Sequence, residues 1–313
     1  MICYSLEEIK RDPKSVVTVG TFDGMHAAHR KILDTLVEKT IAIGGRSVVI
    51  TFKPHPQETL GNGSVELLMT EEERVGMMSD AGINEICVLH FDRNFSLVTA
   101  EDFLVKLVKE KIGLHELVLG YNHTFGHKAQ GTVEFAREVG GRIGFGVDFV
   151  DKVLIEGMIV SSSSIRKLLK EGNLPLANKM LDRSYSFEGF VIRGNGRGRL
   201  LGYPTANLKL VDDRLLVPSF GIYIVEVAAE GEKFVGLASI GVRPTFENSG
   251  LPIVEVWISD FDRDIYGKKI RVSFIRRLRE EMKFNSSDEL ISQMNEDKKM
   301  MNEYLIKTFS KQK

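Results

Sequence analysis

His26 and His29 stand three residues apart where a strand-like run, Val16, Val17, Thr18, Val19, passes through Gly20, Thr21, Phe22, Asp23 and Gly24 into a long amphipathic segment. Imidazoles at a helix N-terminus can donate hydrogen bonds to phosphate oxygens, and the positive end of the helix dipole adds to the attraction. The paired glycines let backbone N–H groups approach the same anion. A Gly-x-x-x-Gly after a strand is by itself usually a tight turn. Strand, paired glycine, aspartate and His-x-x-His together read as a phosphate site. A second anion-binding element is the run Ser161, Ser162, Ser163, Ser164, Ile165, Arg166, which offers hydroxyls and N–H groups at a helix start with a guanidinium one turn further in. A plain serine N-cap with a solvent-facing arginine is an equal reading of that segment. Between the two lies Gly120, Tyr121, Asn122, His123, Thr124, Phe125, Gly126, whose Asn122 amide could hold a phosphate or nucleoside, although an Asn between glycines is more often a turn residue.

A different chemistry is suggested further on. Gly194, Gly196, Gly198 and Gly202 interleave with Arg197 and Arg199 before Tyr203, Pro204, Thr205, Ala206, Asn207. Arg199 occupies the place of the last glycine in Gly-x-Gly-x-x-Gly and no helix opens there, so a dinucleotide fingerprint fails, and no Walker A sequence exists elsewhere. What remains is a flexible glycine-arginine loop, a stiffening proline, and two hard-oxygen side chains two apart. Thr205 and Asn207 suit Mg²⁺ carrying nucleotide phosphates, because magnesium keeps most of its waters. Glu255, on a run that alternates it onto the side of Ile253 and Trp257, sits in a partly apolar setting where a carboxylate becomes a better base. A glycine hairpin and an exposed edge glutamate are the bland alternatives.

Two domains must position these groups. The chain has 313 residues, 43% hydrophobic and 27% charged, with a net charge of -1 that argues against a broad polyanion-binding surface. Strand-like and helix-like segments alternate through the first 150 or so residues, which implies a parallel sheet covered on both faces, with ligands beyond the carboxyl ends of its strands. Helical periodicity from His26 to Ile43 puts Ile32, Leu33, Leu36, Val37 and Ile41 on one stripe. Thr70 with Glu73 forms a capping box for a helix to about Asp80, and Thr99 caps another to Ile112. Helices Ser162 to Lys170 and Leu174 to Leu181 follow. From Tyr185 the runs become short and β-branched: Phe187 to Ile192, Gly221 to Val227, Phe234 to Ile240, Ile253 to Ser259 and Ile270 to Phe274 spell a small antiparallel barrel, with a last helix from Ser287 to Phe309. The boundary falls near Asp182 to Ser184, giving domains 1–183 and 184–313. Cys3 and Cys87, far apart and in apolar company, make neither a disulfide framework nor a thiolate metal site and suit a reducing cytoplasm. No leader of signal-peptide type and no stretch near ~18 apolar residues is present, so a soluble cytoplasmic protein without membrane partners is expected.

In this order the segments resemble the prokaryotic bifunctional riboflavin kinase and FMN adenylyltransferase family, the FAD synthetases. Gly20 to His29 is similar to its G-x-F-D-G-x-H-x-G-H signature, Thr51 to Pro56 to its Thr-Phe-x-Pro-His-Pro loop, Gly120 to Gly126 to its second nucleotide loop and Ser161 to Arg166 to its Ser-Ser-Thr-x-Ile-Arg element. The likeness continues through Gly198 to Asn207, Gly221 to Val225, Ile240 to Thr245, Glu255, Tyr266 to Lys268, and Leu278, Arg279, Glu281 and Phe284.

The resemblance implies an α/β plus all-β protein: a Rossmann-like nucleotidyltransferase domain, then a six-stranded riboflavin-kinase barrel with a C-terminal helix. It implies that the barrel phosphorylates riboflavin, with Glu255 as base, Mg²⁺ near Thr205 and Asn207, and ATP also meeting Gly198, Arg199, Gly202 and Pro204. Arg279 and Glu281 would lie by the flavin. The α/β domain would adenylylate FMN, with Gly20, Thr21, Phe22, Asp23, Gly24, His26, His29, Asn122, Ser162, Ser163 and Arg166 on ATP and Asn122, His123 and Phe125 toward the flavin. Partners are then the small molecules riboflavin, FMN and ATP, with FMN and FAD as products, no nucleic acid, and a monomer or transient homo-oligomer. Some positions depart from the pattern. Ala28 replaces the glycine between the histidines, implying a weakened adenylyl site; Ser163 stands for threonine; Asn122 and His123 stand where Asp and Phe are frequent; Ser239 replaces an asparagine; Asp182 and Ser184 alter a Gly-Arg-Pro. Rival readings are a riboflavin kinase with a degenerate first domain, a nucleotidyltransferase for another phosphate acceptor, and an RNA-binding module using Arg193, Arg197 and Arg199 with the cluster Lys268 to Arg279.

Overall fold

The computed structural model describes residues 1–61, 64–121, 123–194, 198, 202–242 and 252–309; Asn122, Arg197 and Arg199 lie outside them. The chain divides into two compact units, Met1–Ser162 and Ser163–Lys313.

The first unit is built on β1 (Ile2–Cys3), β2 (Ser15–Val19), β3 (Arg46–Lys53), β4 (Glu85–His90), β5 (Leu114–Gly120) and β6 (Gly146–Val150), in the order β1-β4-β3-β2-β5-β6. Every neighbouring pair is parallel. Alternate residues of the same strands feed two cores, one on each face. Val17, Val19, Val48, Ile50, Leu117 and Leu119 enter one, whereas Val16, Val49, Val88 and Val118 join Leu33 and Leu36 of helix α1 (Ala27–Ile43) in the other. Helices α2 (Glu71–Asp80) and α3 (Val133–Ile143), and a turn Ala100–Asp102 that runs into a π-helix Phe103–Ile112, complete the layers. Thr99 and the Thr70–Glu73 box cap their helices as the sequence suggests. A hairpin of β7 (Leu154–Ile155) and β8 (Met158–Ile159) follows β6.

The sheet order reverses at β2, with β3 on one side and β5 on the other, so the crevice for a ligand opens beyond Val19 and Gly120. The loops carrying His26 and His123 both leave from that point.

One expectation is corrected here, and the cysteines gain a spatial relation. Ile41 is 74% exposed and Thr40 is buried in its stead, its hydroxyl donating to the Leu36 carbonyl at 2.7 Å. At about 100° per residue Thr40 lies in line with Leu33 and Leu36, while Ile41 has rotated off the core face. Cys3 and Cys87, far apart in the chain, are opposite each other in the β1–β4 register with sulfurs 2.8 Å apart. Both thiols are free, and burial pushes both up in pKa.

In the second unit β9 (Tyr185–Ile192), β10 (Thr205–Leu210), β11 (Gly221–Ala229), β12 (Glu232–Gly241), β13 (Ile253–Ile258) and β14 (Lys269–Arg279) close into a barrel in the order β10-β13-β12-β11-β14-β9. Inward positions such as Phe187, Val191, Tyr223, Val225, Ile240, Val256 and Phe274 fill it. Helices α4 (Ser162–Lys170), which begins at the last residue of the first unit, and α5 (Leu174–Leu181) precede the barrel. Helix α6 (Ser287–Phe309) lays Met301 on Ile224, Leu237 and Trp257 of its outer face. Strand β10 escaped the pattern reading because Gly202 and Pro204 lead into it and Ala206, Asn207 and Lys209 are weak strand formers, although Thr205, Asn207 and Lys209 alternate with Ala206, Leu208 and Leu210.

Candidate functional site

In the first unit the chain leaves β2 through a strained turn. Phe22, Gly24 and Met25 have φ of 51°, 86° and 39°, so two side chains occupy the left-handed region that glycine favours. Conformations of this kind persist only where their surroundings hold them. Here the Asp23 carboxylate, 1% exposed, accepts the Leu68 amide at 3.0 and 3.2 Å, and the Asp23 carbonyl accepts the Ser162 hydroxyl at 2.7 Å. Asp23 thus holds the turn, and Ser162 brings the first residue of α4 onto it.

The Thr21 carbonyl is held by Arg74, 7% exposed, which donates to it at 2.8 Å and to the Phe52 carbonyl at 3.1 Å. Arg74 bolts the anion turn to the end of β3, where Lys53, Pro54, His55 and Pro56 begin. Sequence reasoning missed it. The available signal was a guanidinium beside Val75 and Met78 on the buried stripe of α2.

His26 is the N-cap of α1: its Nδ1 accepts the His29 amide at 3.3 Å, which places the proton of the neutral ring on Nε2. The two rings stack with centroids 3.6 Å apart and planes 16° apart, and Phe22 tilts against His29 at 5.1 Å. Burial, then His26, His123 and Arg74, hold His29 well below the ordinary histidine range, so it is neutral at pH 7. Its Nδ1 is buried with no partner among the described residues. His123 follows the turn beyond β5, with its ring 6.3 Å from Phe125 and nearly parallel. Phe125 is buried against Phe103. Ser163 and Arg166 lie on α4, Arg166 one helical turn beyond Ser162.

The second unit assembles its polar groups on the outer face of the barrel. Register places Glu255 of β13 between Asn207 of β10 and Ser239 of β12, and the same row continues through Ile222 to Arg279 of β14. Thr205 pairs with Trp257 one step along, so Thr205 and Asn207 project on the same side as Glu255. Asn207 is 6% exposed and Glu255 half-buried. The loop glycines are needed where they stand: a Cβ at Gly194 would collide with the Asn207 amide, and one at Gly198 with the Tyr203 carbonyl, 3.2 Å from the Thr205 hydroxyl. Gly202, at φ 79°, turns the chain into Pro204. Beside Thr205 opens a cavity of about 360 Å³ lined by Pro204, Val256, Ile258, Phe261 and Tyr266, with Arg263 and Asp264 at its polar side.

Arg279 is engaged from the helix. Its Nε and Nη2 meet the two carboxylate oxygens of Asp297 at 2.8 and 2.7 Å, Nη1 donates to the Glu280 carbonyl at 2.9 Å, and Gln293 adds an amide to Asp297 at 3.0 Å. The Tyr203 hydroxyl donates to Asn295, so α6 grips both the segment that leads into β10 and the strand bearing Arg279. Gly241 admits the Glu281 carboxylate, which a Cβ there would strike. Asp297, 2% exposed, was also missed; its signal was a carboxylate one turn before Met301 on the buried stripe of α6.

A family model described as FAD synthetase matches residues 8–164 and one described as riboflavin kinase matches residues 181–305. A Listeria monocytogenes protein named bifunctional riboflavin kinase/FMN adenylyltransferase is 34% identical over 291 residues, 91% of this chain and 91% of that one. The chain belongs to the bifunctional riboflavin kinase/FMN adenylyltransferase family. A Bacillus subtilis member of this family is 33% identical over 292 residues, covering 91% of this chain and 90% of its own. A Streptococcus pneumoniae crystal structure described as a macrolide-efflux protein superposes with a TM-score of 0.87 at 30% identity, over 96% of this chain and 98% of that one. No helix among the described residues is long and apolar enough to cross a membrane. The parallel six-stranded sheet followed by a closed six-stranded barrel and a long helix is the architecture the family resemblance implied.

Proposed function

We propose that the chain phosphorylates riboflavin to FMN in its barrel and transfers the adenylyl group of ATP to FMN in its α/β unit, giving FAD and pyrophosphate, with the functional division at about residues 183 and 184. The observation that carries the reading is the register of β10 against β13, which seats Asn207 beside Glu255 in one row on the outer face of the barrel.

In the kinase step Glu255 accepts the proton of the ribityl hydroxyl as its oxygen forms the new P–O bond and ADP departs. The donors at the nucleotide end are hard oxygens, Thr205 and a buried Asn207, which fits Mg²⁺ and does not fit a softer metal. Bound there, Mg²⁺ would lend charge to the ATP phosphates. The adjoining cavity, apolar with Tyr266 and Arg263 at its margin, takes the adenosine end.

In the adenylyl step the nucleophile is a phosphate already ionised at neutral pH, so alignment and charge stabilisation replace a general base. Nε2–H of His26, the ring of His29, the hydroxyls of Ser162 and Ser163, and Arg166 hold the phosphates of ATP. Asn122, which lies outside the described residues, completes the set. Free buried thiols suit the reducing cytoplasm in which such an enzyme works. Incubation with riboflavin, ATP and Mg²⁺, followed by separation of flavins, tests the whole: successive FMN and FAD are expected, and FMN alone removes the second activity.

Ala28 stands in helical backbone, so its methyl group, not its conformation, is the departure to examine. Ala28→Gly is expected to raise FAD formation at limiting ATP by giving a phosphate closer access to the N-terminus of α1, despite a helix cost of up to ~1 kcal/mol. An unchanged rate at limiting ATP removes Ala28 as a brake on the site.

A further inference from the structure

We propose that His123 is a third imidazole of the adenylyl site, its Nε2 hydrogen-bonding a phosphate oxygen alongside His26 and His29. The inference rests on the adenylyltransferase reading above and goes beyond it, because it moves His123 from flavin stacking to phosphate binding.

Placement comes first. His123 ends a tight turn whose amide donates to the Gly120 carbonyl at 3.0 Å, directly beyond the end of β5. β5 neighbours β2, the strand that delivers His26 and His29. Gly120 itself lies on α1: a Cβ there would come 2.8 Å from Ile32 Cδ1, and Ile32 is one turn past His29. The turn bearing His123 therefore leaves from a strand end packed on the first turns of the helix that His26 caps and that carries His29.

The polar atoms point to a ligand. Nε2 of His123 and Nδ1 of His29 are both buried and find no partner among the described residues. An orphaned buried ring nitrogen costs about 1–3 kcal/mol, and at the carboxyl edge of a parallel sheet the usual remedy is a bound molecule. An acceptor with several oxygens, placed between the rings, satisfies both at once; a phosphate is such an acceptor, and the helix N-terminus favours its charge. A flavin ring would need the face of His123, and that ring already runs nearly parallel to Phe125. Burial drives the His123 pKa down to about 4, so at neutral pH the ring donates through one N–H and brings no charge of its own.

The phosphate is that of ATP or that of FMN, and the experiment separates them. His123→Phe keeps an aromatic ring beside Phe125 and removes the donor; His123→Gln restores a donor. In FMN-to-FAD turnover, His123→Phe should raise one KM about tenfold, the worth of a charge-assisted hydrogen bond, with His123→Gln recovering most of the loss and riboflavin phosphorylation unchanged. A rise confined to ATP assigns the ATP phosphates; a rise confined to FMN assigns its phosphate. Both KM values unchanged in His123→Phe overturn the proposal, as does His123→Gln behaving no better than His123→Phe. Where transfer is too slow to follow, calorimetric binding of ATP and of FMN to the full chain separates the same outcomes. Wild-type protein that binds neither overturns the adenylyltransferase reading itself, and this proposal with it.

Discussion

Replacing Glu255 by glutamine lowers FMN formation from riboflavin by about 10²–10⁴-fold, the usual worth of a positioned general base, and leaves conversion of supplied FMN to FAD unchanged. Glutamine keeps the volume and planar shape of the side chain. It also keeps an oxygen between Asn207 and Ser239, so the barrel loses little stability. What disappears is the only charge in that row able to accept the hydroxyl proton, since Asn207 and Ser239 are neutral and Arg279 is bound to Asp297. Paired assays on one preparation check the result. Equal loss of both steps would refute the division of labour between the units, and full kinase activity would remove Glu255 as the base.

The second large effect is expected at Arg74. Arg74→Met leaves the carbonyls of Thr21 and Phe52 without their cationic donor, a loss of about 3 kcal/mol to the first unit. The turn from Gly20 to His26 then loses its cationic tie to the end of β3, keeping there the Gly20 amide on the Ile50 carbonyl and the Thr51 hydroxyl on the Thr21 carbonyl, and adenylyl transfer falls by about a hundredfold, since small displacements of positioned groups cost that much. Arg74→Lys does not rescue it, because a single ammonium lacks the fork that reaches two carbonyls. Riboflavin phosphorylation, whose residues lie in the other unit, persists. Thermal unfolding and FMN-to-FAD turnover measured together decide the matter: a destabilised protein with normal turnover would make Arg74 a support of the fold alone.

Arg74 also shows where the sequence stops being legible. Local signals were sufficient for α4, α5 and α6, whose periodic stripes and caps lie within the helices themselves, and for the turn into α1, which is spelled in consecutive residues. Arg74 acts on backbone carbonyls contributed by two other segments, and carbonyls carry no residue type to read. Asp297 and Arg279 were each visible, but only packing of α6 on the barrel pairs them. Strand β10 alternates polar and apolar residues as a half-buried strand should, but the glycine- and proline-containing segment before it and its weak strand formers Ala206, Asn207 and Lys209 made it read as part of a loop. Cys3 and Cys87 looked unrelated because parallel pairing of β1 with β4 joins residues that no local pattern connects.

Barrel closure sets the order in which the halves mature. The strands of the first sheet are all present once Val150 has been synthesised, so that unit can fold while the rest of the chain is still emerging. Tyr185 of β9 must wait for Phe274 of β14, and such distant pairing makes the barrel the later and slower half. Until β14 arrives, β9 and β11 each present an unpaired edge, and any truncation before Lys269 makes those edges permanent and open to aggregation.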